Sequence, residues 1–148
     1  MGGVSGHAGL FSTAPDLARF VQFLMRGGHA NTRTRGHADG APVRSSARPL
    51  VSAETIALFT RADRPGFSSR ALGWDTPSEN SSAGSHLSAR AFGHTGFTGT
   101  SIWVDPEQDL FVILLTNRVN PTRNNDLIRE VRRQVADLAV AAVGTAAR

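Results

Sequence analysis

A histidine, a threonine and a glycine stand together at residues 94–96, and their side chains could support acid–base and hydrogen-bonding chemistry. An imidazole changes charge near pH 6.5, a hydroxyl both donates and accepts hydrogen bonds, and glycine lets another group approach its backbone closely. This His-Thr-Gly tripeptide lies near the start of the stretch 92–118, which predicts two adjacent antiparallel strands. Taken alone, such a tripeptide is common, and its histidine could simply bond a backbone carbonyl.

The strand pair has a clear turn and a strongly apolar second strand. Residues 105–109 predict the turn, with Pro106 at a position that suits its fixed φ angle. The continuous apolar run 110–115 predicts a strand that is buried on both faces. The turn's three carboxylates could attract a cation, but a solvated hairpin tip explains them better.

Other arrangements that could provide catalysis or bind a metal are weak. The chain has no cysteine and no Gly-x-Ser-x-Gly nucleophile turn. Ser101 could be grouped with His94 and Asp105 as a triad, but these residues are arbitrarily spaced around one short strand. The remaining histidines have no metal-ligand spacing, so no zinc site is expected at His7, His29, His37 or His86.

Helices flank the predicted strands. Thr13 is a plausible N-cap of a first helix that ends at Gly27-Gly28, and Ser52 caps a shorter second helix. Residues 72–75 predict a short strand, and residues 29–49 predict a mobile surface loop. A last helix is expected from about residue 126 to about residue 143, with one apolar face formed by Leu127, Val131, Val135, Leu138 and Ala142.

These elements predict an α+β fold in which an antiparallel sheet has flanking helices and the C-terminal helix lies along one face. The length suits one domain spanning residues 1–148. Trp74 and Trp103 are expected in the core or on a strand face. No apolar run approaches the length of a membrane span.

Charge patterning argues against a nucleic-acid binding protein. All sixteen basic residues are arginine, and the formal net charge is only +4. On the last helix, acidic Glu130 and Asp137 alternate with Arg129, Arg132 and Arg133. This alternation predicts a solvated face.

The order of these pieces, together with the His-Thr-Gly tripeptide, resembles the C-terminal half of the serine β-lactamase and penicillin-binding-protein superfamily. The resemblance extends from residues 6–13 to the last helix. In that family a Lys/His-Thr/Ser-Gly triplet on an edge strand forms one side of the catalytic site. A serine forms the acyl-enzyme, while a lysine three residues later and a tyrosine of a second motif move protons.

The resemblance implies specific roles for four residues. His94 takes the basic position, Thr95 the hydroxyl position, and Gly96 the position at which substrate lies against the strand. The backbone N–H of Phe97 would supply half of the oxyanion hole. Because histidine is mostly neutral at pH 7, its charge attracts a substrate carboxylate less than lysine would, which favours esterase, amidase or aminopeptidase relatives over penicillin recognition.

The family's other two motifs cannot occur in this chain, because it contains neither lysine nor tyrosine. The resemblance therefore implies a C-terminal fragment of a serine hydrolase acting on an ester, amide or β-lactam, inactive alone and partnered by the N-terminal half of the same fold. The alternative is a non-catalytic domain that binds peptides or cell-wall fragments. No cofactor is expected, and the compartment stays open.

Overall fold

The computed structural model describes residues 9–29, 49–64 and 66–146. Its architecture is α+β, as the sequence predicts. Three helices and three strands follow in the order α1 (Ala14–Met25), α2 (Ala53–Thr60), β1 (Phe92–Thr95), β2 (Ser101–Asp105), β3 (Leu110–Leu114) and α3 (Ile128–Ala146). The predicted mobile loop lies outside the described residues from position 30 to position 48.

The sheet is antiparallel with strand order β1-β2-β3. The sequence predicts one strand before the turn at residues 105–109, and this prediction is wrong. The chain folds back at residues 96–100, so that this stretch forms two paired strands, β1 and β2. The His-Thr-Gly tripeptide therefore lies at the end of a short edge strand. Since side chains alternate along a strand, residues paired across the sheet share a face.

One face of the sheet packs against α1. Phe92, Val104 and Val21 of α1 form a buried cluster, and Phe111 packs against it. Trp74 meets Phe92 edge to face, with ring centroids 5.1 Å apart. This packing confirms the expected position of Trp74 in the core.

The other face holds Trp103, which is buried and donates its indole N–H to Ser82 Oγ at 3.3 Å. The loop that contains Ser82 is fastened to α3, because Asp137 Oδ1 accepts the backbone N–H groups of Ser85 (2.7 Å) and His86 (3.0 Å). Helix α3 also contacts β3. The C-terminal helix thus lies along one face of the sheet, as predicted.

The prediction of a solvated hairpin tip is wrong for Asp105. Its side chain is fully buried, and its carboxylate accepts hydrogen bonds from Ser88 N–H and Oγ at 2.6 and 2.7 Å. Backbone N–H groups of Glu107 and Gln108 and the Gln108 amide also donate to it. Burial raises the pKa of Asp105, but the hydrogen bonds from Ser88 and Gln108 outweigh burial and hold that pKa below its ordinary value.

Two other predictions, both at the edges of the sheet, are wrong. Residues 72–75 form no strand; Asp75 makes isolated bridges to Arg70 and Gly93. Strand β3 is half-buried throughout and not buried on both faces, because it is an edge strand in the described chain. The predicted apolar face of α3 is also largely open, since Val131 and Leu138 are exposed while Ala136 is buried.

Candidate functional site

The His-Thr-Gly tripeptide presents its first two side chains on opposite faces of the sheet. His94 pairs with Ile102 on the α1 face and is exposed. Thr95 pairs with Ser101 on the α3 face and is half-buried. Because β1 is an edge strand, both faces and the strand's open edge are accessible at this point.

A tight turn, residues 96–100, follows the tripeptide directly. Gly96 N–H donates to Thr100 O at 2.8 Å, and Gly99 N–H donates back to Gly96 O at 3.2 Å. A Cβ atom at Gly96 would collide with the Thr100 hydroxyl, and Gly99 has a φ of +119°. A side chain at position 96 would therefore fit only if the Thr100 hydroxyl moved.

Phe97 is the first residue of this turn beyond the tripeptide. Within the described ranges its backbone N–H has no hydrogen-bond acceptor. Its carbonyl, in contrast, accepts from Arg118 Nε at 2.7 Å, and the Arg118 guanidinium lies 4.5 Å from the centroid of the Phe97 ring. The turn therefore fixes Phe97 through its oxygen and its ring and leaves its N–H open.

Arg132 of α3 binds the same turn from the α3 face of the sheet. Its Nη2 donates to Gly96 O at 2.7 Å and to Thr100 O at 2.8 Å. Burial lowers the pKa of Arg132, and the nearby positive charge of Arg118 lowers it further, although an arginine remains protonated at neutral pH. The prediction that the α3 arginines form a solvated face is wrong for Arg132.

Neither of the two arginines that bind the turn was predicted to do so from the sequence. Arg118 stands four residues after the end of β3, in a loop from which its side chain reaches the neighbouring turn. Arg132 precedes the buried Ala136 by four residues, so both lie on one face of α3. An arginine on the buried face of a helix was the available signal, but the chain has too many arginines for composition alone to single it out.

Two cavities meet at Thr95 and Gly96. The first, of about 790 Å³, is called the arginine cavity here because Arg118 and Arg132 line it together with Phe97. The second, of about 800 Å³, is the apolar cavity between the sheet and the start of α1, lined by Leu17, Phe20, Trp74, His94 and Ile102 among others. Of the four predicted site residues, Thr95 and Gly96 line both cavities, Phe97 the first and His94 the second.

The alternative sites gain no support. Ser101 and His94 lie on opposite faces of the sheet, and Asp105 is engaged by Ser88, so the three do not form a triad. His86 Nδ1 lies 3.1 Å from Asp137. His7 and His37 lie outside the described residues, and within the described part of the chain no three His, Cys, Asp or Glu residues could share a metal ion.

Comparison with known proteins identifies the fold that this geometry belongs to. A sequence profile of the beta-lactamase family matches residues 1–137. The chain belongs to the beta-lactamase family. The crystal structure of a beta-lactamase from Mycobacterium bovis superimposes with a TM-score of 0.63 at 26% sequence identity, over 88% of this chain and 44% of that one. The resemblance inferred from the tripeptide and its flanking elements is confirmed at the level of family and fold.

Relatives of this beta-lactamase family chain include proteins named for carboxypeptidase and amidase activities. An Escherichia coli K12 protein to which D-alanyl-D-alanine carboxypeptidase activity is ascribed is 31% identical over 144 residues. The N-acetylmuramyl-L-alanine amidase of Bacillus subtilis is 39% identical over 124 residues. These matches cover 92% and 80% of this chain but only 30% and 24% of the relatives. No helix among the described residues is long and apolar enough to cross a membrane.

Proposed function

We propose that this chain forms one wall of the active site of a serine acyl hydrolase. In this proposal the His-Thr-Gly tripeptide borders a nucleophilic serine that belongs to a segment with the Ser-x-x-Lys and Tyr-x-Asn motifs, neither of which the 148 residues contain. The serine attacks a carbonyl carbon and forms an acyl-enzyme, which water then hydrolyses. We call the chain together with that segment the assembled enzyme.

The observation that supports this proposal best is the open N–H of Phe97, directly after the tripeptide. A backbone N–H that is held rigidly and left without an internal acceptor can donate to the oxyanion that develops on an attacked carbonyl. The family resemblance assigns this role to the same position. The second donor of the oxyanion hole would be the N–H of the nucleophilic serine.

His94 and Thr95 would bind the substrate on either side of the strand. The His94 imidazole borders the apolar cavity, where the acyl part of a substrate could be buried beside Leu17 and Phe20. The Thr95 hydroxyl borders the arginine cavity, where polar groups of the substrate could be bound. Gly96, between the cavities, has no side chain to separate them.

The named activities of the relatives suggest the substrate. The carboxypeptidase and amidase relatives cleave amide bonds by name. We therefore propose an amide of a D-amino-acid-containing peptide as the preferred substrate class, ahead of simple esters and β-lactams. A histidine in place of lysine agrees with a substrate that does not depend on a strong fixed charge at this position.

Labelling with a fluorophosphonate probe tests the proposal. The chain alone should remain unlabelled and should hydrolyse neither a chromogenic ester nor a cephalosporin above the buffer rate, because removing the nucleophile typically costs more than about 10⁴-fold. Addition of the segment with Ser-x-x-Lys should produce stoichiometric labelling on that segment. Labelling of a serine within this chain would refute the proposal.

A second candidate is a non-catalytic domain that binds peptides or cell-wall fragments in the same cavities. The observation that favours it is the combination of two large cavities with a chain that contains no lysine or tyrosine. Isothermal titration of the chain alone with a D-Ala-D-Ala peptide discriminates the two. Tight binding by the isolated chain would favour the binding domain.

A further inference from the structure

We propose that Arg132 is a positioning residue for the oxyanion hole, acting through the peptide group that joins Gly96 to Phe97. This inference rests on the function proposed above and adds a residue that the His-Thr-Gly tripeptide does not include. The oxygen of that peptide group is the acceptor of Arg132 Nη2 at 2.7 Å, and its N–H is the open donor of Phe97. Arg132 thus binds the carbonyl oxygen of the peptide group whose N–H would stabilise the oxyanion.

The geometry of a peptide group makes this arrangement directional. In a trans peptide the C=O and the N–H point in opposite directions within one plane. The Gly96 oxygen is fixed by Arg132 and, at 3.2 Å, by Gly99 N–H. Two donors on one oxygen hold the plane of the group, so the Phe97 N–H must point away from Arg132. Loss of the arginine would leave one long hydrogen bond to resist rotation of the plane.

The charge of Arg132 also affects the strength of the donor. A hydrogen bond to a carbonyl oxygen polarises the peptide group and makes its N–H a better donor, and the effect is larger when the donor to the oxygen is charged. The guanidinium lies partly out of water, where its field is screened less. The same Nη2 also binds Thr100 O at 2.8 Å, so it joins both ends of the turn.

Arg118 supports the next peptide group in the same way. Its Nε donates to Phe97 O at 2.7 Å, while its Nη1 binds the carbonyls of Arg123 (3.1 Å) and Asn125 (3.2 Å). Two arginines, one in α3 and one in the loop after β3, therefore hold the turn at three carbonyl oxygens. Of these two arginines, Arg132 is the one that binds the peptide group that contains the proposed oxyanion donor, which is why the proposal concerns Arg132.

Kinetics of the assembled enzyme test the role of Arg132. Arg132→Gln should lower kcat about tenfold with KM within about twofold, because an indirect effect should be smaller than the 10²–10³-fold loss of a direct oxyanion donor. Arg132→Lys should lose less than Arg132→Gln, since it keeps a positive charge and N–H donors near Gly96 O, although they are not fixed in the plane of a guanidinium. The control is Arg90→Gln, which removes the same charge from an exposed side chain 4.0 Å from Glu107, beside the β2–β3 hairpin at the far end of the sheet.

A second measurement separates positioning from folding. With this chain alone labelled with ¹⁵N in the assembled enzyme, the Phe97 amide signal should shift in Arg132→Gln and less in Arg132→Lys, and it should stay in place in Arg90→Gln. If Arg132→Gln fails to fold, Arg132→Lys provides both readouts. An unshifted Phe97 signal, or a kcat equal to that of Arg90→Gln, would overturn the inference.

The outcomes also distinguish this inference from the proposed function. If Arg132→Gln keeps full kcat while His94→Ala and Gly96→Val lose activity, the proposed active site stands and only the role of Arg132 is wrong. If His94→Ala and Gly96→Val also keep full activity, the tripeptide does not border the active site, and both proposals fail.

Discussion

In the proposed active site, His94 takes the basic position of the family motif, at which lysine and histidine both occur. The two side chains differ in charge near neutral pH, because free imidazoles titrate near pH 6.5 and lysine remains charged. The imidazole is exposed on the α1 face beside the apolar cavity, so a change in its charge would act on a bound acyl group.

We therefore expect His94→Lys to change the pH response of the assembled enzyme. The variant should show a flatter kcat/KM profile around neutral pH, because lysine keeps its charge there. It should also gain relative activity toward substrates that bear a carboxylate. Steady-state kinetics with matched neutral and anionic substrates measure both effects, and an unchanged profile would show that His94 does not act on the substrate.

Asp105 governs stability and not catalysis. Asp105→Asn should lower the free energy of unfolding by about 2 kcal/mol at pH 7, because an NH2 group in place of Oδ2 cannot accept the hydrogen bonds that Ser88 N–H and the Gln108 amide donate there. Since the folded pKa lies below the unfolded one, this stabilisation is present above about pH 4 and is lost as pH falls through the folded pKa.

Thermal unfolding of the wild type and Asp105→Asn from pH 7 to pH 3 measures this dependence. The difference in stability between the two proteins should be constant near neutral pH and should shrink below about pH 4. Asp109→Asn is the matched control, because Asp109 is exposed on the same hairpin. A difference that grows on acidification would contradict the assigned sign.

Among the secondary-structure elements, the starts of helices α1 and α2 could be predicted from local sequence signals. Thr13 accepts the N–H of Asp16 and Ser52 accepts the N–H of Thr55, so each cap is formed within four residues. The break of the first strand at residues 96–100 was not predicted, although Gly96 and Gly99 are turn residues, because the threonine and aromatic residues between them favour a strand and the turn is held by Arg132 from 36 positions away. Burial of Asp105 likewise depends on Ser88, 17 positions earlier.

The turn at residues 96–100 allows a test of why glycine stands at position 96. Gly96→Ala should lower both stability and activity, because its Cβ would collide with the Thr100 hydroxyl. Adding Thr100→Ala removes that oxygen and should restore stability. If the glycine also provides space for the substrate, activity should stay low in the double variant; full recovery of kcat/KM would assign glycine to the turn alone.

For the whole molecule, the described chain leaves apolar surface open on two elements. Strand β3 is an edge strand with half-buried residues, and α3 exposes Val131 and Leu138. Open strand edges and apolar patches promote association. The chain also covers only 44% of the beta-lactamase structure that it matches.

We expect the chain alone to self-associate. Gel filtration should show oligomers or aggregates, and addition of the segment that completes the fold should yield a single complex of the two chains. Replacing Val131 and Leu138 with glutamine should reduce association, whereas Gln134→Ala, an exposed change on the same helix, should not. A sharply melting monomer that binds no hydrophobic dye would identify an independent domain.

The measurement that tests the central claim most directly is kcat/KM of the assembled enzyme with His94→Ala, beside His29→Ala as a control for an exposed histidine outside the site. Loss of a polar contact in an active site costs on the order of 1–3 kcal/mol of transition-state stabilisation. His94→Ala should therefore reduce kcat/KM by about 5-fold to about 150-fold, with His29→Ala unchanged. Equal values for the wild type and His94→Ala on the best substrate would show that the His-Thr-Gly tripeptide does not line the active site.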